Sequence, residues 1–379
     1  MSESYLPEPA GERAGVALCL SGGGYRASLF HLGTLRRLNE LGILAQVDTV
    51  SAVSGGSILA AFVAQHVGEW PTSGTLPDFD RRIAEPFREF TRKNIRTLWV
   101  LRRVVKPWDS TVAVESLVRR YERDLVQLKL GELPQRPRFI FSATDMAFGV
   151  NWVSERRRVG SYAAGYVEPA PDWPVARAVA ASSCFPPAFE PMPVQLGSRF
   201  KDVRLTDGGV YDNMGLEPVW KDHEVVLVSD GGATFDFHPD AGVLGRISRY
   251  AAIQGRQSAA LRKRWLIAGF KQGSLEGTYW GVGSVASHFA SDAPGYGGGL
   301  VDDVISEVRT DLDCFSDAES AVLQNHGYLL ADAAIRCHAA RFAAAASPAA
   351  APFPEWLDEE RVRAALADSA KRKILGRWR

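Results

Sequence analysis

Cysteine is scarce in this chain, with four in 379 residues, and Cys19, Cys184, Cys314 and Cys337 stand far apart with no C-x-x-C spacing. That scatter excludes a zinc knuckle and a disulfide scaffold, and a reducing, cytoplasmic compartment is the simpler expectation. An excess of either charge is also missing. Forty-four basic against 44 acidic residues leave a formal net charge of zero, without the basic footprint that a nucleic-acid partner demands. The N-terminus, Met-Ser-Glu-Ser-Tyr-Leu-Pro-Glu-Pro, has neither the basic stretch nor the apolar centre of a leader. No uncharged apolar run reaches membrane-spanning length, so any membrane contact is expected to be peripheral. No H-x-x-x-H pair, no Asp/Asn-rich calcium loop and no lysine placed as in a P-loop occurs, so neither a metal nor another cofactor is expected.

What is present is enough apolar residue, 46% of the chain, to fill one large α/β domain or two smaller ones. Val16–Leu20 is a short apolar run with the length of a buried strand. Leu29, Phe30, Leu32, Leu35, Leu38 and Leu41 then recur at helical spacing until Gly42, a C-terminal stop, and Val47–Val53 reads as the next strand. Strand, turn, helix and strand in that order predict the parallel βαβ unit of a doubly wound sheet. Arg138–Ser142 and Glu224–Val228 are further strand candidates. One helix is expected through Val114, Leu117, Val118 and Tyr121 with Asp109 or Ser110 as its cap, and another over Val175–Ala181 ended by Pro186-Pro187. Beyond Gly269 the Gly- and Ser-rich sequence reads as long loops. Residues 1–12 form a polar lead-in, 341–354 an Ala/Pro linker and 355–379 a charged helix with a basic tip. No internal repeat is visible.

Two of the turns carry chemistry. Gly22-Gly23-Gly24 presents bare backbone N–H groups at a helix N-terminus, where the positive end of the dipole suits an anion. Ser54, in Val50–Leu59, sits on a tight strand-to-helix turn that thrusts a hydroxyl out as a nucleophile. Together they supply an attacking oxygen and donors for the oxyanion it creates, the two requirements of acyl transfer to serine. A base is needed, and both Asp207 and Asp230 are followed by Gly-Gly after an apolar run, so spacing leaves the choice open. Ser51 and Ser57 read as structural; Asp145, Asp212 and Asn213 read equally as loop supports or turn formers; His31 reads as a helix-face residue. Two rival readings use the same residues. A dinucleotide-binding module would take Gly22–Ala27 as its G-x-G-x-x-G/A turn and Asp48 as its acid, and a Ser-His-Asp triad would take His288 or His326 as base.

Gly22-Gly23-Gly24-Tyr25-Arg26-Ala27, Ser54 in its turn and Asp207-Gly208-Gly209 together resemble the patatin-like phospholipases. The likeness is clearest from about Val16 to Gly232 and looser to about residue 338, with Ser182–Pro191 similar to the stretch before the family's Asp-Gly-Gly. It departs where Ala27 and Ala52 stand in place of glycines. The resemblance implies a three-layer α/β/α fold with a mainly parallel central sheet over 13–340, and a Ser54–Asp207 dyad without histidine. It selects Asp207 over Asp230 because Val-Tyr-Asp-Asn follows. It further implies a serine lipid acyl hydrolase of phospholipase A or lysophospholipase type, taking a lipid or other acyl ester. The Gly22, Gly23 and Gly24 amides would form the oxyanion hole, with Gly55, Gly56, Gly208 and Gly209 shaping the turns. Arg26 would either support the oxyanion loop or lie in a surface salt bridge. A free aspartate with a pKa of about 3.9 is a poor base, so Asp207 needs burial.

Residues 88–108 interleave Arg92, Lys93, Arg96, Arg102, Arg103 and Lys106 with Phe90, Trp99 and Trp108. Such a segment suits a helix that packs one face and snorkels its cations or, in a lipid-directed hydrolase, an interface or lid on an anionic lipid surface. The tail from Lys371 to Arg379 reads as a solvated helix end.

Overall fold

The computed structural model describes residues 11–95, 112–170, 172–186, 189–194, 196, 200, 203–232, 242–343 and 348–369. The Asp109/Ser110 cap, most of the 88–108 segment and the basic tail lie outside the described residues.

Five parallel strands form the centre of the sheet: β1 (Val16–Leu20), β2 (Val47–Val53), β3 (Arg138–Asp145), β9 (Val225–Asp230) and β10 (Glu276–Gly281). Antiparallel β4 (Val150–Glu155), β5 (Val159–Ser161) and β6 (Gly165–Val167) extend it, giving the order β10-β9-β1-β2-β3-β4-β5-β6. β8 (Arg204–Asp207) joins β3 antiparallel, with the two-residue β7 (Met192–Pro193) beside it.

The unbroken apolar sequence of β1 follows from cover on both faces. Val16, Leu18 and Leu20 share a buried cluster with Leu29 and Leu32 of α1 (Gly24–Glu40) and Leu323 and Leu330 of a helix near the C-terminus. Ala17 and Cys19 belong to a second cluster with Val226, Val228, Trp220 and Leu266. The result is the expected three-layer α/β/α arrangement on a mainly parallel sheet. α1 ends in a Schellman motif: Gly42 has φ 70°, its N–H donates to Asn39, and Ile43 N–H reaches back to Leu38 at 2.9 Å. After β2 come α2 (Gly55–His66), α3 (Glu85–Thr91), α4 (Val112–Asp124) and α5 (Val175–Ser183).

The region past Gly269 differs from the long loops expected. It contains β10 and the 22-residue α7 (Asp317–His338), and before it α6 runs from Gly242 to Gln272. α7 is buried from Glu319 to Ile335, so it has no polar face to give a helical period. Its start was nonetheless written in the capping box Ser316-Asp317-Ala318-Glu319, in which the Glu319 N–H donates to the Ser316 hydroxyl. Gly33 and Gly327 let α1 and α7 touch backbone to backbone, since a Cβ on either would lie 1.9 Å from a carbonyl oxygen of the other helix. From Val282 to Ser316 the chain does run as turns and short helical turns. α8 (Glu359–Leu366) is capped by Asp358 and buries Val362 and Leu366 in the larger cluster. Among the described residues no helix is long and apolar enough to cross a membrane.

Candidate active site

The glycine turn and the serine turn leave neighbouring parallel strands, β1 and β2, at the same sheet edge, where open α/β sheets place their sites. Gly23 (φ 138°) and Gly24 (φ 58°) adopt backbone that only glycine holds without strain. A Cβ at Gly23 would lie 2.7 Å from the Gly231 oxygen, and one at Gly24 would lie 2.6 Å from that of Asp311. Their N–H groups open α1 and, among the described residues, meet no backbone acceptor. Gly22 departs from the expectation of three equivalent donors: its N–H already donates to the Asn213 carbonyl at 2.9 Å, so it holds the loop in place.

Ser54 has φ 48° and ψ −113°, a strained conformation for a residue with a side chain. Close approach makes the turn tight: a Cβ on Gly55 would lie 2.1 Å from the Gly24 oxygen, and one on Gly56 2.2 Å from that of Leu20. The Ser54 N–H donates to the Ser182 hydroxyl at 2.9 Å, and that hydroxyl donates to the Ser142 carbonyl at 2.6 Å. Ser57 lies 2.8 Å from Ser182 rather than capping the helix, and Ser51 donates to the Gly215 carbonyl. Ser182 was not singled out by sequence reasoning; the available signal was its place at the head of Ser182–Pro191. The two alanine departures fit. Neither has a positive φ, and a Cβ on Gly231 would meet that of Ala27 at 2.7 Å, so the alanine fills the space that glycine leaves.

Asp207 reaches the same place from another strand. β4 pairs along one edge of β3, so β2 and β8 share the other, end to end. Val53 pairs with Ser142 and Asp207 with the next residue, Ala143, so Ser54 and Asp207 meet where the two strands abut. Asp207 is 2% exposed. Burial pushes its carboxyl up to about 6, against the lowering effects of the Gly209 N–H, which donates to Oδ1 at 2.7 Å, and of the Ser54 side chain. A Cβ on Gly208 would strike the Ser142 oxygen at 2.4 Å. Asn213 sits between the turns, its Oδ1 in the space that a Cβ on Gly22 or Gly209 would enter.

Arg26 is not in a surface salt bridge. It is buried and donates to the carbonyls of Gly231, Ser306 and Val308, and burial lowers its pKa to about 10. Asp230 accepts from the Tyr279 hydroxyl and the Gly232 N–H. Asp48 lies near the start of β2, bound to the Val16 N–H and Arg136, at the sheet edge opposite the glycine turn. A dinucleotide there would lack its ribose acid. His31 bridges Ser229 and the Ser21 carbonyl instead of facing out, His326 contacts the Val282 carbonyl, and burial lowers both to about 4. Among the described residues no histidine hydrogen-bonds Ser54 or Asp207. Asp145 and Asp212 each accept two backbone N–H groups from the turns that follow them.

Residues 18–220 match the family described as patatin-like phospholipase. No curated protein matches the sequence. Among solved structures, human GIVD cytosolic phospholipase A2 is similar at 15% identity with a TM-score of 0.40, over 57% of this chain and 45% of that one, so the chain spans less than half of its length. VipD from Legionella pneumophila is similar at 15% identity with a TM-score of 0.36, over 95% of this chain and 76% of that one.

Proposed function

From the premise that the chain belongs to the patatin-like phospholipase family, a family of lipid-acting hydrolases, we propose that it is a serine lipid acyl hydrolase of phospholipase A or lysophospholipase type. The observation that carries this reading is the meeting of Ser54 with a buried carboxylate of raised pKa at the abutting ends of β2 and β8.

Ser54 Oγ attacks the ester carbonyl as Asp207 accepts its proton. Burial makes that transfer easier than it is for a carboxylate in water. The oxyanion forms beside α1, where the Gly23 and Gly24 N–H groups support it, together with that of Gly55, the residue after the nucleophile. Each such donor contributes about 3–4 kcal/mol to the transition state in enzymes where one has been removed. Collapse of the tetrahedral intermediate returns the proton to the leaving alcohol and leaves an acyl ester on Ser54. Water, deprotonated by Asp207, then releases the fatty acid and restores the serine.

Incubating a total-lipid extract with wild type and with Ser54→Ala, and reading the products by mass spectrometry, tests this. Fatty acid should appear with wild type alone. Equal release by the serine variant overturns the assignment.

A further inference from the structure

The turns beside Asp207 carry an apolar surface that the dyad does not use. The β3–β4 turn is Met146-Ala147-Phe148-Gly149 and the β5–β6 turn region is Tyr162-Ala163-Ala164-Gly165, eight residues without a charge. Met146 is 53% exposed, Phe148 56% and Tyr162 69%, and Val210 and Phe185 are also exposed. A set of large apolar side chains held open to solvent marks an interaction face.

These turns are built as one piece. Asp145 is fully buried; its Oδ1 accepts the N–H groups of Ala147 and Phe148, and its Oδ2 accepts the Ser161 hydroxyl at 3.1 Å. Ser161 in turn accepts the Ala164 N–H. One carboxylate thereby fixes both tips. The piece is continuous with the catalytic strand, because the Met146 N–H donates to the Arg204 carbonyl of β8 and the Thr144 hydroxyl donates to the Asp207 carbonyl. Val210 follows Asp207-Gly208-Gly209 directly, and Phe185 follows Cys184, whose carbonyl accepts from Thr206.

We propose that Met146, Phe148, Tyr162, Val210 and Phe185 form an uncharged platform that enters the outer layer of a lipid aggregate and sets the Ser54–Asp207 mouth against it. The proposal rests on the lipid-hydrolase reading above. A lipid surface is the occupant that the position favours, since an ester in a bilayer must come to a serine that cannot leave the sheet edge. Aromatic rings with a polar end suit that boundary. Because the tips carry no charge, attachment does not need anionic lipid, in contrast to the lipid-binding reading of the basic 88–108 segment.

The test uses the full chain carrying Ser54→Ala, so that vesicles are not consumed, in co-sedimentation with phosphatidylcholine vesicles with and without phosphatidylglycerol. Binding should occur on phosphatidylcholine alone and change little between about 0.05 and 0.5 M salt. Adding Phe148→Asp with Tyr162→Asp should weaken it by about tenfold or more, and the milder pair Phe148→Ser with Tyr162→Ser by less. In the chain that keeps Ser54, both pairs should leave hydrolysis of a water-soluble short-chain ester unchanged, which also reports that they fold. Undiminished binding by the aspartate pair, no binding by the parent, or binding that needs anionic lipid and disappears in salt each overturns the platform. So does conversion of a dimer to monomers with vesicle binding intact, which would make the face a self-contact. Failure of the catalytic reading shows separately, as soluble-ester hydrolysis that survives Ser54→Ala.

Discussion

The hydroxyl of Ser182 accepts the backbone N–H of Ser54 at 2.9 Å and donates to the Ser142 carbonyl at 2.6 Å, tying the serine turn to β3 through a residue 128 positions away. That link opposes relaxation of the strained φ at Ser54. Ser182→Ala removes it and leaves a buried N–H and a buried carbonyl short of a partner, a loss of roughly 1–3 kcal/mol. Stability should fall by that order in urea unfolding, and kcat for a soluble ester should drop about 10- to 100-fold with KM little changed. Unaltered kcat would make Ser182 a packing residue only.

Asp207 stands in a different relation to stability. Its folded-state pKa, raised by burial to about 6, lies above the ordinary value of 3.8, so the folded chain favours the protonated acid. Above pH 6 the ionised carboxylate is a burden on the fold of roughly 1–3 kcal/mol. Asp207→Asn should therefore be inactive yet melt higher than wild type at pH 7.5. The advantage should shrink as pH falls from 6 towards 3.8 and be gone below that. A lower melting temperature for the variant at pH 7.5 would show that ionised Asp207 is stabilised by the Gly209 N–H and the Ser54 side chain more than burial costs it.

The same shift sets the pH dependence of the reaction. In the proposed dyad Asp207 must be ionised to accept the serine proton, so kcat/KM should rise through an acid limb centred near 6 and level off above pH 7. His31 and His326, held down near 4, do not titrate in that range. His288 is exposed and hydrogen-bonds neither Ser54 nor Asp207 among the described residues, so His288→Ala should keep both the rate and the limb. Loss of activity in that variant would revive the triad.

Much of the candidate site was legible because its signals are local. Gly22–Gly24, the Ser54 turn and Asp207-Gly208-Gly209 are each set by backbone demands that only small residues meet, and such demands show in a short window of sequence. The parallel strands β1, β2, β3 and β9 announced themselves as short apolar runs for the same reason. Contacts between distant segments were not legible. Nothing near Gly22 indicates that its N–H is taken by the Asn213 carbonyl, and nothing near Ser182 points to Ser54. α7 was lost among glycine-rich neighbours because burial on all sides erases the periodicity by which a helix is recognised. Spacing alone did not separate Asp230 from Asp207, which the family resemblance selected by the Val-Tyr-Asp-Asn that follows it; strand pairing gives the physical difference, since β8 abuts β2 on the edge of β3 whereas β9 lies beside β1.

Arg26 connects the glycine turn to a segment nearly 300 residues away in sequence. Its Nη1 donates to the Ser306 and Val308 carbonyls at 2.7 and 2.8 Å and its Nε to that of Gly231 at 3.2 Å. Three residues beyond Val308, the Asp311 carbonyl accepts the Tyr25 N–H, and its backbone fills the space beside Gly24. The segment from Ser306 to Asp311 thus braces the donors proposed for the oxyanion, with Arg26 as its fastening. Arg26→Met keeps most of the volume and removes every donor, leaving buried carbonyls short of partners while relieving the cost of a buried cation. The balance is a loss of about 2–4 kcal/mol. Because the oxyanion forms only as the ester is attacked, loosened donors should lower kcat well before they raise KM. Arg26→Lys keeps the charge but cannot reproduce the planar fork across three carbonyls, so it should recover only part of the activity. Urea unfolding together with soluble-ester kinetics checks this, and a folded Arg26→Met chain with wild-type kcat would show that the loop holds its shape without the brace.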